Sequence, residues 1–274
     1  MRRHKNQKPA DDAARPGQTD LERALPLQGD ELRAVGTDLG RGDEDDPRWQ
    51  RSLNRVLTVQ HPVVEAHVRA LRRRHPGHTP AQILRTLERE YLTAVTAGGA
   101  AVGASAVIPG VGIGVSLALS GVETAYFLEA SALYAQSVTE VHGIAVSDPE
   151  RARTIVMAMM LGGPGADLVR QLAGEAIGKG PARQAFWGDL VAQRLPKAAM
   201  SSISDMVRKR FIGRFVRAQG ASIVGRAIPF GIGAVVGGIG NHTLGRKVVS
   251  SSRSAFGPAP TTFPSDLPLR GPSR

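Results

Sequence analysis

The sequence predicts an all-α fold, a multi-helix bundle with two Gly/Ala-rich apolar helical hairpins broken at Ile-Pro and flanked by disordered tails. Three observations predict it. Apolar side chains through the middle of the chain recur at helical spacing behind recognisable N-caps, and no segment reads as a strand. Two long apolar stretches are each interrupted by a proline. Both ends are polar, rich in Pro, Gly, Ser or charge, and without apolar periodicity. Aromatic residues make up 4% of the chain against 32 glycines. Such a core is filled by Ala, Val, Ile, Leu and Gly, which lets helix backbones approach closely, as membrane helices do.

The expected organisation is a disordered tail over 1–47, a helical domain over 48–249 and a disordered Ser/Pro-rich tail over 250–274, in which Phe256 and Phe263 are candidates for local docking. Within the domain, Arg48–Gln60 reads as a first helix. Val64, Val68 and Leu71 then fall at i, i+4 and i+7, opposite Arg69, Arg72 and Arg73. After a stop at Pro76-Gly77, Thr79 is an N-cap, Pro80 takes the first helical position and Gln82 completes a capping box. Ile83, Leu84, Leu87 and Tyr91 continue this helix.

From Tyr91 to Val122 there is no charged residue, and Pro109-Gly110 divides the run near its middle. Each part is shorter than the ~20 apolar residues a membrane span needs, so a helical hairpin turning at Pro109 and Gly110 is expected. Its second arm continues to Gly143. Ser147-Asp148-Pro149-Glu150 reads as a second capping box, with Ser147 as N-cap, opening a helix through Met157, Met159, Met160 and Leu161. Short helices are expected at 167–177 and 182–195, and a longer one from Pro196 to Gln219. The second apolar stretch, 221–240, repeats the Ile-Pro step at Ile228-Pro229, so Pro229 marks a second hairpin turn.

Charge and motifs narrow the function. The net charge is +11, and residues 51–274 hold 26 basic and 13 acidic side chains. That balance favours an anionic partner. On 203–217, Val207, Phe211 and Phe215 form one helical ridge, beside Arg210, Arg214 and Arg217, with Arg208 and Lys209 adding charge. A basic amphipathic helix of this kind suits an anionic bilayer, so these residues are the candidate lipid contacts. Nucleic acid is disfavoured because stacking platforms and a recognisable module are missing.

No cysteine is present, which excludes disulfides, thiolate catalysis and Cys-based metal sites. Gly174–Gly180 departs from a P-loop in spacing and lacks the hydroxyl for magnesium. His61, Glu65, His75 and His78 do not form a metal motif. No catalytic residue and no cofactor are expected. Glu123, where the uncharged run ends, and Asn241 and His242, after the second apolar stretch, form the candidate polar site. The N-terminus is basic with no apolar stretch behind it, so no secretory signal is expected.

The order of these motifs resembles the bacterial EcsC family. The resemblance is carried by the Thr79-Pro80-Ala81 helix with Leu87 and Tyr91, and by Val107-Ile108-Pro109-Gly110-Val111-Gly112. Val141-His142-Gly143-Ile144, Gly225-Arg226-Ala227-Ile228-Pro229-Phe230-Gly231-Ile232-Gly233-Ala234 and Gly237-Gly238-Ile239-Gly240-Asn241 complete it, over roughly 53–249. It implies a helical, membrane-linked protein and assigns no catalytic residues. The expectation is a non-enzymatic protein at the cytoplasmic side of the cell membrane, peripheral or partly inserted. It would serve as an accessory factor in an envelope or transport process, with anionic lipid and a membrane protein as partners. The alternative is a soluble helical protein whose apolar hairpins pack on each other and which binds a hydrophobic ligand or a protein partner.

Overall fold

The computed structural model describes residues 19–41, 43–105, 113–143, 148–163, 165, 197–225 and 232–264. All the regular structure among them is helical. In chain order the helices are α1 (Asp20–Ala24), α2 (Gly29–Gly40), α3 (Pro47–Val56), α4 (His61–Arg74), α5 (Pro80–Ser105), α6 (Ile113–Val141), α7 (Pro149–Leu161), α8 (Lys197–Gly225) and α9 (Ile232–Phe256).

The helix starts follow local chemistry. The Thr79 amide donates to Gln82 Oε1 at 2.8 Å, and the Gln82 amide returns a longer bond to Thr79 Oγ1 at 3.4 Å, as the capping-box reading requires. Before α7 the N-cap is Asp148 rather than the expected Ser147, because the Asp148 carboxylate accepts from the Glu150 and Arg151 amides at 2.8 and 3.0 Å. An ionised acceptor at a helix N-terminus is favoured over a hydroxyl by the helix dipole.

Helix α6 is the axis of the bundle. From Leu128 to Val141 every residue is buried, and α2, α3, α4, α5, α7 and α9 all pack on it. A helix covered on all sides needs no apolar stripe, and α6 accordingly buries Glu129, Gln136 and Glu140 along with its apolar residues. Helices α5 and α6 are antiparallel. Tyr91 stacks on Tyr134 with ring centroids 4.6 Å apart and shares a 2.8 Å hydrogen bond with Ser131, while Gly98 lies under the ring of Tyr126. The two helices thus pack antiparallel; Pro109, Gly110 and Pro229, where hairpin turns are expected, lie outside the described residues.

Helix α9 runs back along α5, from Gly237 beside Gly99 to Arg253 paired with Glu88. A Cβ on Gly99 would stand 2.6 Å from the Gly237 carbonyl oxygen, so only glycine permits this approach. The start of α9, from the second apolar stretch, is therefore packed on α5, from the first. No helix among the described residues is long and apolar enough to cross a membrane.

Two expectations are corrected. The segment assigned to an N-terminal tail carries α1 and α2 from residue 20 onward, and Leu21, Leu25, Leu27, Val35 and Leu39 are buried in the core. Helix α2 crosses α6 so closely that a Cβ on Gly36 would meet the Val122 backbone at 2.6 Å. At the other end α9 continues six residues past Ser250, burying Ala255 and Phe256. The chain then lays Phe263 under the Arg72 guanidinium, 3.9 Å from ring centroid. Both phenylalanines singled out in that tail are docked. The helices expected at 167–177 and 182–195 lie outside the described residues.

Candidate functional site: an apolar cleft with polar ends

Helices α6, α7, α8 and α9 leave a cleft of about 440 Å³ between them. Its walls are apolar: Phe127 from α6, Met160 and Leu161 from α7, Phe211 and Phe215 from α8, Leu244 and Val248 from α9. On α9 the lining positions Asn241, Leu244, Val248 and Ser251 recur at three- and four-residue spacing, which places them along one helix face.

One end of the cleft is closed by the candidate polar site. Glu123 is buried on α6, and Asn241 Nδ2 donates to Glu123 Oε1 at 3.0 Å and to the Val95 carbonyl at 3.1 Å. Asn241 therefore ties α9 to both α5 and α6, and Gly99 provides the room, since a Cβ there would lie 2.7 Å from Asn241 Nδ2. His242 does not join this pair. Its Nδ1 lies 3.1 Å from Thr96 Oγ1, and it is absent from the cleft lining.

The other end lies at the C-terminus of α7. Gly162, which ends that helix with a positive φ of 76°, lies against Ser251, and Arg214 donates from Nη1 to the Leu161 carbonyl at 3.4 Å. Lys247 lines the same end, one turn before Ser251, whose hydroxyl donates to its carbonyl at 2.8 Å.

The candidate lipid contacts divide in the structure. Val207 and Phe211 are buried, and Phe215 is half-buried between Phe211, at 5.6 Å between stacked rings, and Trp49 of α3, at 6.4 Å. The ridge thus faces α7 and the cleft, where Phe211 and Phe215 form part of the wall. Arg208 donates to Gln50 Oε1 at 3.2 Å. Lys209, Arg210 and Arg214 are exposed. The side chain of Arg217 lies outside the described ones.

Sequence reasoning found Glu123, Asn241, Phe211, Phe215 and Arg214 separately, as members of two different sites; the structure brings them to one cleft. It missed Phe127, Leu244 and Lys247. Helical spacing along α9 was the available signal, since Leu244 and Val248 continue the face that Asn241 begins. Among the described residues no cluster of side chains is suited to hold a metal ion. Comparison with family models, with curated proteins and with solved structures yields no match in any of the three.

Proposed function

We propose that this chain is a non-enzymatic helical protein that takes a hydrophobic ligand into the cleft between α6, α7, α8 and α9. One observation carries the reading. A cavity of about 440 Å³ is walled by three phenylalanines in a protein with 7 in all. That volume is in the range of ligand sites, and apolar walls with a few placed polar groups are their usual chemistry. The EcsC-like order of motifs agrees with a protein whose ligand comes from a membrane.

The test is calorimetric titration with dodecanol, an uncharged single-chain probe. Wild-type protein should bind it saturably with one site, and Leu244→Asp, which puts a charge on an exposed wall position, should weaken binding by about tenfold or more. Equal affinity of the two proteins would overturn the reading.

A second reading, association with an anionic membrane surface, is favoured by the exposed Lys209 and Arg210 on α8, beside the cleft. The surface would then deliver the ligand, each cation contributing about 1 kcal/mol near anionic lipid. Co-sedimentation with phosphatidylglycerol vesicles should fall in the Lys209→Glu, Arg210→Glu double variant; unchanged sedimentation would count against this second reading alone.

A further inference from the structure

We propose that the ligand of this cleft is a single-chain amphiphile with an anionic head group, a carboxylate or a phosphate monoester. The head sits between Arg214 and Lys247, and the chain runs toward Glu123 and Asn241. The proposal rests on the cleft being a hydrophobic-ligand site and adds its direction and its charge.

The direction follows from how the polar groups are distributed along α9. Asn241 meets Glu123 at one end, and Ser251 meets Gly162 at the other. Ten residues of helix separate them, about 15 Å at helical rise. Both cations belong to the second end. Arg214 is bonded to the Leu161 carbonyl in the last turn of α7, and Lys247 lies one turn from Ser251. Between the ends the lining is apolar, with Phe127, Phe211, Phe215, Leu244 and Val248 in the walls. The cleft is thus an apolar trough about one acyl chain long, with an acid at one end and two bases at the other.

Electrostatics then selects the head group. At the Glu123 end both amide hydrogens of Asn241 are already donated, to Glu123 Oε1 and to the Val95 carbonyl, so that side chain offers an anionic head group no donor. At the opposite end neither Arg214 nor Lys247 forms an ion pair with a described residue. The one hydrogen bond of Arg214 is long and goes to a neutral carbonyl. That leaves most of its planar guanidinium donors for a carboxylate or phosphate, which such a group binds through paired hydrogen bonds. Lys247 adds a point charge from a second helix. A solvated pair of cations on a plain surface would carry no such meaning. Here they stand at the mouth of an apolar trough, the arrangement that fits an amphiphile.

Four probes with one chain and different heads test the proposal on the full chain below their micelle concentrations: dodecanoate, dodecyl phosphate, dodecanol and dodecyltrimethylammonium. Inorganic phosphate is the fifth arm. Dodecanoate and dodecyl phosphate should bind about tenfold tighter than dodecanol, and the cationic probe more weakly than dodecanol. The comparison of the two anions separates a fatty-acid-like ligand from a phosphate-headed one. Inorganic phosphate should not compete with either. In the Arg214→Gln, Lys247→Gln double variant the advantage of the anions over dodecanol should vanish, with an unchanged far-ultraviolet dichroism spectrum. The Arg214→Lys, Lys247→Arg variant should keep most of the advantage. Equal binding of dodecanol and the anions by wild type would overturn the proposal and leave the hydrophobic cleft standing. Competition by inorganic phosphate would overturn it in favour of a bare anion site. Failure of every chain-bearing probe to bind would remove the cleft reading itself, and the proposal with it.

Discussion

Deleting residues 1–40 should abolish the cooperative thermal unfolding of this protein. The five apolar side chains that α1, α2 and their linker place in the core are Leu21, Leu25, Leu27, Val35 and Leu39, each at most 5% exposed. Burial of side chains of this size stabilises by about 1.5–3 kcal/mol each, on the order of 10 kcal/mol together as an upper estimate. That is comparable with the whole stability of a typical domain, about 5–15 kcal/mol. The deletion also uncovers α6, the axis of the bundle, along its contact with α2. A milder probe of the same region is Leu39→Ala, expected to cost about 2–5 kcal/mol by transfer and cavity terms. Both are measured by circular dichroism melts. A deletion variant that melts with the sharpness and midpoint of the full chain would contradict the placement of α1 and α2.

Raising the pH should loosen the same segment. Two carboxylates hold it by its backbone: Glu129 Oε1 accepts from the Leu27 amide at 2.8 Å and Glu90 Oε2 from the Leu21 amide at 3.2 Å. Burial pushes the Glu129 carboxyl up to about 8, and burial with the nearby Asp20 charge pushes Glu90 up to about 7. Glu129 Oε2 has no hydrogen-bond partner among the described residues, which is the position a retained proton would occupy. The sign follows from linkage. In the unfolded chain these groups are ionised above the ordinary carboxylate range, so the folded state binds more protons and loses stability as pH rises through the folded values. His67, pushed down to about 4 by burial, works in the opposite direction, but only below its ordinary value of about 6.5. The informative window is therefore pH 6.5–8.5, across which Glu129 alone should remove about 2 kcal/mol. Glu129→Gln, neutral at every pH, should flatten that slope. A wild-type midpoint that stays constant over the window, or the same slope in the variant, would contradict the assignment.

The parts of this fold that the sequence made legible are those written in local chemistry. The Thr79-Gln82 capping box, the uncharged run that becomes the arms of α5 and α6, and the i, i+4 ridge of α8 depend on neighbours within one or two turns. The parts that were not legible depend on partners far along the chain. Residues 20–40 are polar by composition because α1 and α2 each bury one narrow face, and Leu21, Leu25 and Leu27 fall among Arg, Glu and Pro. Gly36 looks like a break until Gly121 is seen beneath it. For the site, the α8 ridge was identified but not what it faces. A helical ridge of Val and Phe next to Arg carries no sign of which helices it packs against; α7 and Trp49, distant in sequence, are those partners. Asn241 and Glu123 were each notable alone, and their 118-residue separation hid the 3.0 Å bond that joins them.

The central claim, that a hydrophobic ligand occupies the cleft beside α9, is tested most directly by placing one reporter inside it. The chain has no cysteine, so Leu244→Cys can be labelled at that position alone with an environment-sensitive fluorophore. Leu244 lines the cleft and is 48% exposed, which leaves the thiol open to labelling. An Arg85→Cys protein, labelled at an exposed position of α5 outside the cleft lining, is the control. On titration with dodecanol the account predicts a saturable emission shift from the label at 244 and none from the label at 85. No response at 244, or the same response at both positions, would contradict it.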